Sequence, residues 1–203
     1  MSGALILCGG IGKRIGLNKA LIKISDKPLL LHVVEKMIGS VDELVVSIGM
    51  KDNPTRYSEM LPEDVKVIND KISGKGPLAG IISGMNSMSS RYTAVFPCDS
   101  PFLHEEVLKF MFDNARGFDA AIPRWPNGYL EPLHAVYKVS SALSAAKNVG
   151  IKTRWSVIDM IMRLNKVVYL DTVEIKKLDP ELLTFFNINK KEDLKVAAEI
   201  IGR

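Results

Sequence analysis

Short apolar runs alternate with longer amphipathic segments along most of this chain, and that alternation leaves few architectures open. The runs at 4–8, 43–48, 65–68, 93–96, 120–122, 133–137 and 166–170 have the length and aliphatic content of buried strands. Between them, 29–38, 78–88, 105–115, 140–147, 156–164 and 192–201 carry apolar residues at helical spacing, with Pro28 expected at the first helical position of the first of these. Strands that are apolar throughout and separated by helices imply an α/β fold, a mostly parallel sheet covered by helices on both faces. With 203 residues and no Pro/Gly/Ser linker, repeat or low-complexity tract, the sequence predicts one Rossmann-like domain over residues 1–203.

In such sheets ligands bind beyond the carboxyl ends of the strands, so the residues just after each run carry the functional argument. After Leu5-Ile6-Leu7-Cys8 comes Gly9-Gly10-Ile11-Gly12-Lys13-Arg14-Ile15-Gly16-Leu17-Asn18-Lys19. Glycines allow a tight turn whose N–H groups approach a polyphosphate, and Arg14 and Lys19 add positive charge where it would lie. The loop is not a dinucleotide-binding fingerprint, because Ile15 stands where GxGxxG needs glycine, and no GxxxxGK[ST] fits. The plainer reading is a solvated basic turn.

After 93–96 comes Pro97-Cys98-Asp99-Ser100-Pro101, which sets a hard oxygen donor at the sheet edge. Mg²⁺ takes one or two carboxylates and fills its shell with phosphate oxygens and water, so Asp99 suits it; the alternative is an Asx turn or cap for the next helix. Asp70 follows another strand, and Gly76-Pro77-Leu78-Ala79-Gly80 opens a helix whose N–H groups suit acceptor atoms. Gly80 serves equally for ligand approach or close helix–sheet packing.

These segments resemble the molybdenum cofactor guanylyltransferase family, within the nucleotidyltransferases whose first loop reads LxGGxxxRxGxxK. Leu7, Gly9, Gly10, Arg14, Gly16 and Lys19 match that loop; Pro97–Pro101 and the GPLAG segment match further on. Family members often carry an acidic residue where Asn18 stands, and an asparagine in the neighbourhood of Ser47 or Ile48. The resemblance implies catalytic roles for Arg14, Lys19 and Asp99, a nucleotide site of Leu7, Gly9, Gly10, Gly12, Lys19, Asp70, Gly76, Gly80 and Asp99, and Mg²⁺ on Asp99. It also implies GTP and a phosphorylated pterin, molybdopterin, as substrates, with GMP transfer releasing pyrophosphate, and transient contact with other molybdenum cofactor enzymes.

On the acceptor side the resemblance implies Glu131, His134, Arg154, Asn187 and Asn189. Each has a plainer alternative: His134 as a packed strand residue, Asn189 as part of a capping box with Glu192, and Arg154, like Arg124 and Lys152, as a solvated cation. Transfer of CMP to the same pterin, or of GMP to cobinamide phosphate or another phosphorylated small molecule, would use the same fold. A nucleotide-binding subunit without activity would be expected to lose Lys19 or Asp99, and both are present.

A net charge of +4 without a block of like charges argues for small anionic substrates rather than nucleic acid. The two cysteines, Cys8 and Cys98, form no metal pattern and suit a reducing compartment. No apolar stretch long enough for a membrane span and no basic leader at the start predict a cytoplasmic protein.

Overall fold

The structure, a computed structural model, describes residues 1–9, 18–72, 76–147, 149 and 155–202. The chain begins with β1 (Ser2–Leu7), a short hairpin of β2 (Lys23–Ile24) and β3 (Lys27–Pro28), α1 (Leu29–Met37), β4 (Glu43–Ile48), α2 (Thr55–Ser58) and β5 (Lys66–Asn69). It continues with α3 (Pro77–Met85), β6 (Tyr92–Pro97), α4 (Glu105–Ala115), β7 (Ala120–Arg124), β8 (Ala135–Lys138) and α5 (Val139–Lys147). Last come α6 (Val157–Ile161), β9 (Val167–Asp171), α7 (Thr172–Ile175) and α8 (Lys191–Ile201).

A seven-stranded sheet in the order β5-β4-β1-β6-β8-β7-β9 forms the centre. Every pairing in it is parallel except those of β8, which runs antiparallel to both β6 and β7. The expected mostly parallel α/β sheet is therefore present, with one reversed strand that the apolar pattern does not announce. Successive strand residues point to opposite faces. Ala4, Ile6 and Cys8 of the first strand segment join Ala94, Phe96 and Cys98 in a core with α1 and α4, while Leu5, Leu7 and Val95 pack on the other side with α3, α5 and α6. Each fully buried aliphatic side chain contributes roughly 1.5–3 kcal/mol, so this two-sided burial fixes the strand register that sets the sheet edge.

At the starts of α1 and α3 the prolines do not sit as the sequence predicts. Pro28 is the N-cap of α1 and also part of β3, where it faces Lys23; it is not the first helical residue. Pro77 instead opens α3, preceded by Gly76 at φ 61°, ψ −156°, a conformation that residues bearing Cβ rarely adopt. Among the described residues no helix is long and apolar enough to cross a membrane.

Candidate functional site

The carboxyl ends of β1, β4, β5 and β6 reach the same edge, and backbone bonds hold their tips in step. Cys8 N donates to Ser47 O at 2.7 Å, Asp70 N to Ile48 O at 2.8 Å, and Cys98 N to Leu7 O at 3.1 Å. Parallel register then sets Asp70, Gly9 and Asp99 side by side, although they are far apart in sequence.

Lys19, in a short 3-10 turn (Lys19–Leu21), reaches across this edge. Its Nζ donates to Asp99 Oδ2 at 2.6 Å and to Asn189 Oδ1 at 2.8 Å. The Lys19 and Asp99 side chains are 20% and 14% exposed, enough shielding to strengthen the pair and enough access for a ligand to compete for it. Asp99 caps no helix: α4 begins at Glu105 with His104 as its N-cap, and the His104 N–H is taken by Thr184 Oγ1.

Asp70 stands across the first strand tip from Asp99. Its Oδ1 accepts from Ser47 Oγ, and its Oδ2 lies 3.0 Å from the position a Cβ on Gly9 would take. Burial raises the Asp70 carboxyl above its ordinary value, the Ser47 hydrogen bond opposes the shift, and nearby Asp52 adds to it. Gly80 is packed closely, since a Cβ there would meet Leu7 Cδ2 at 2.9 Å, and it also lies beside Asp70, whose Oδ1 would be 3.4 Å away. A Cβ on Gly76 would meet nothing within 4 Å, so glycine is needed there for its backbone angles, and the space beside it is open.

Asn18, where an acidic residue was noted as missing, is tied to one through space. Its Oδ1 accepts from Ala20 N at 3.2 Å, capping the turn that carries Lys19, and its Nδ2 donates to Tyr57 OH. Tyr57 OH donates in turn to Asp52 Oδ2 at 3.2 Å, which also accepts from Gly49 N at 3.2 Å. Burial, reinforced by Asp52, pushes the Tyr57 phenol well up, so it remains a neutral donor. Asp52, Tyr57 and Ser47 are the residues that sequence reasoning missed. Only the Asn18 departure pointed toward the first two, and it named no partner.

The acceptor-side residues do not all converge. Asn189 faces Lys19 with its side chain; its capping role is overturned, because Lys190 is the N-cap of α8 and Asp193 Oδ2 accepts from the Asn189 and Lys190 N–H groups at 2.7 and 2.8 Å. Asn187 is turned inward, accepting from Ser100 Oγ at 2.6 Å and donating to Phe185 O at 3.2 Å. His134 is 1% exposed, with Nε2 2.9 Å from Ser100 Oγ, so it is packed in the interior behind Ser100 rather than presented at the surface. Glu131 accepts from Trp125 Nε1 at 2.7 Å. Burial alone would raise its carboxyl, but His134 and Trp125 outweigh burial and hold it below the ordinary range. Arg124 ends β7 at the same edge, with its guanidinium over the Tyr169 ring at 5.2 Å. Gly10, Gly12, Arg14, Gly16, Gly74, Lys75, Lys152 and Arg154 lie outside the described residues.

Cys8 and Cys98 are buried and free, and burial, then the contact with Cys98, raises the Cys8 thiol well above its ordinary value. Such a thiol is a packing group rather than a nucleophile. Among the described residues no set of three or more His, Cys, Asp or Glu side chains is gathered to hold a metal.

A lysine and a carboxylate in contact at the carboxyl edge of a parallel sheet fit phosphate chemistry, and the comparisons give that chemistry a family. The model of the MobA-like NTP transferase domain matches residues 4–165. The chain belongs to the MobA-like NTP transferase family. A probable molybdenum cofactor guanylyltransferase of Methanosarcina mazei is 35% identical over 197 residues, covering 95% of this chain and 88% of that relative. Another, of Thermococcus kodakarensis, is 38% identical over 197 residues, covering 94% and 90%. The crystal structure of molybdopterin-guanine dinucleotide biosynthesis protein A from Archaeoglobus fulgidus superposes with a TM-score of 0.79 at 31% identity, covering 98% of both chains. For a MobA-like chain, the edge that gathers Gly9, Lys19, Asp70 and Asp99 is the candidate nucleotide site.

Proposed function

We propose that this chain transfers GMP from GTP to the terminal phosphate of molybdopterin, releasing pyrophosphate and forming the guanine dinucleotide of the cofactor. The single observation that carries the reading is the 2.6 Å contact of Lys19 with Asp99 at the strand edge of a MobA-like chain. Relatives of matching length that are named for guanylyl transfer to the molybdenum cofactor support the choice of substrates. On this reading residues 1–203 act as one transferase unit, and no nucleic acid or membrane surface is needed.

The difficulty of the reaction is charge, because an anionic nucleophile must approach an anionic triphosphate. A phosphate monoester with a second pKa of about 6 is already largely dianionic near neutral pH, so the attack on the α-phosphorus requires no general base. Lys19 meets that charge by exchanging its bonds to Asp99 and Asn189 for phosphate oxygens, while its capped turn and the Asn18 to Asp52 chain keep it aimed. Arg14 and the N–H groups of the glycine-rich loop would add to the same field. Asp70, held by Ser47, is suited to accept hydrogen bonds from the nucleoside in the open space beside Gly76.

The residues fit magnesium better than a softer ion, since Asp99 offers a carboxylate with one oxygen on an exchangeable lysine, and among the described residues no set of three or more His, Cys, Asp or Glu side chains is gathered to hold a metal. Asp99 would hold it, and bound Mg²⁺ would supply Lewis-acid neutralisation of the phosphates. The test is transfer of label from α-³²P-GTP and, in parallel, α-³²P-CTP to purified molybdopterin, with pyrophosphate release measured alongside. A labelled guanine dinucleotide formed only with GTP supports the reading; a cytosine product, or no product with an acceptor shown to be intact, ends it.

A further inference from the structure

A file of polar groups, buried at His134 and Ser100 and half-buried at Asn187, runs behind Asp99, and its hydrogen accounting is closed enough to assign. Ser100 Oγ donates to Asn187 Oδ1 at 2.6 Å, which commits the only proton of that hydroxyl. The orientation of the Asn187 amide follows from its other end, where Nδ2 meets the carbonyl oxygen of Phe185, an acceptor only. His134 Nε2, 2.9 Å from Ser100 Oγ, must therefore be the donor of that bond. The Phe96 and Phe185 rings meet the imidazole edge-on at centroid distances of 5.2 and 5.5 Å, so the direction of its N–H is fixed by packing. On the far side, Nδ1 is the one buried side-chain nitrogen or oxygen among the described residues without a hydrogen-bond partner; Glu131 Oε2 stands 3.5 Å away.

What Ser100 holds matters for the strand edge beside it. Ile188 N donates to Asp99 O at 2.9 Å, so the 187–189 segment is joined to the strand tip by a backbone bond and by the Ser100 to Asn187 bond. Asn189 and Asp99, the two groups that share Lys19, emerge from the two sides of this junction.

We propose that His134 is a positioning residue for nucleotidyl transfer, acting through Ser100 and Asn187 to hold Asn189 and Asp99 at the spacing Lys19 requires. The inference rests on the transferase reading for its effect on rate, but the arrangement it describes is measurable without substrate. A histidine serving only to fill the core would be replaceable by any side chain of similar volume; a positioning histidine needs its Nε2 donor.

The variants are His134→Leu, which keeps volume without a donor, His134→Gln, which returns an N–H at a similar reach, and Ser100→Ala. In the full chain, His134→Leu and Ser100→Ala lower kcat by on the order of tenfold, the worth of one buried hydrogen bond, with the KM for nucleotide changed less. His134→Gln restores kcat to within about threefold, and the His134→Leu/Ser100→Ala pair loses no more than Ser100→Ala alone, as expected of groups acting in series. Hydrogen exchange at the Ile188 amide rises on the order of tenfold in His134→Leu and Ser100→Ala and recovers in His134→Gln, while the Val95 amide stays unchanged. Unchanged Ile188 exchange in both donor-less variants, or turnover in both within about threefold of an active wild type, overturns the proposal. If the wild type transfers no nucleotide, the transferase reading has failed separately and the exchange measurement alone decides the positioning claim. Should His134→Leu not fold, Ser100→Ala and His134→Gln carry both readouts.

Discussion

Replacing Lys19 with alanine separates the electrostatic role of the lysine from its part in stability. The substitution deletes two hydrogen bonds, to Asp99 at 2.6 Å and to Asn189 at 2.8 Å, and leaves a partly shielded carboxylate without its cation. Fully exposed pairs are worth about 0–1 kcal/mol, and breaking a fully buried one costs about 3–5 kcal/mol. Because both side chains keep some exposure and Asp99 regains water once the lysine is gone, the expected loss is nearer the lower figure, about 1–2 kcal/mol. For a chain of this size that is a Tm lower by roughly 2–8 °C. Turnover should suffer more. A fixed positive donor aimed at developing charge is worth about 2.7–4 kcal/mol, or on the order of 10²–10³ in kcat. Thermal unfolding and initial-rate pyrophosphate release on the same preparation give both numbers. A Lys19→Ala protein that turns over near the wild-type rate refutes the electrostatic argument. One that loses structure before it loses rate shows the lysine to be a structural tie.

Asp99→Asn should abolish Mg²⁺-dependent transfer while leaving the fold intact by circular dichroism; rates that are the same with and without Mg²⁺ in the wild type remove the metal from Asp99. Asp70→Asn should raise the Tm at pH 7 and weaken nucleotide binding. The folded chain raises the Asp70 carboxyl, so the group favours folding below its unfolded value and costs stability as pH rises through the folded one. The mutant's advantage should therefore vanish toward pH 4, near the unfolded carboxylate value of about 3.9, and a lower Tm at pH 7 contradicts the sign. Gly84→Ala should destabilise despite a helix-propensity gain of about 1 kcal/mol, because its Cβ would lie 2.3 Å from Leu5 Cδ1, and such overpacking costs about 1–3 kcal/mol. A raised urea midpoint would contradict it.

The strands of the sheet were legible because burial on two faces leaves runs such as 4–8 and 43–48 apolar throughout. The direction of β8 was not, since a buried Ala-Val-Tyr segment reads the same whichever way it runs. The hairpin at Lys23 to Pro28 and the one-turn helices α2 and α7 are too short to carry a period. At the site, Lys19 and Asp99 were each visible from motif and strand position; parallel register sets Asp99 beside Gly9, but it is the turn after the loop that brings Lys19 onto Asp99, and no local pattern encodes that. For Asn189 the spacing to Glu192 left a capping box open as the alternative to a site role, yet Asp193 takes the backbone donors and the Asn189 side chain turns to Lys19. The hydrogen-bond chain from Asn18 through Tyr57 spans 39 residues, and no local pattern encodes it.

The reversed course of β8 gives the molecule an unequal division of labour. A forward strand delivers to the working rim whatever comes after it; a backward one delivers whatever comes before it, here the turn through Gly128, Glu131 and Pro132. That turn can lengthen, shorten or change composition while the strands holding Gly9, Asp70 and Asp99 keep their positions. A lineage of such proteins is thereby free to vary that turn and still keep the edge that gathers Gly9, Asp70 and Asp99 in register.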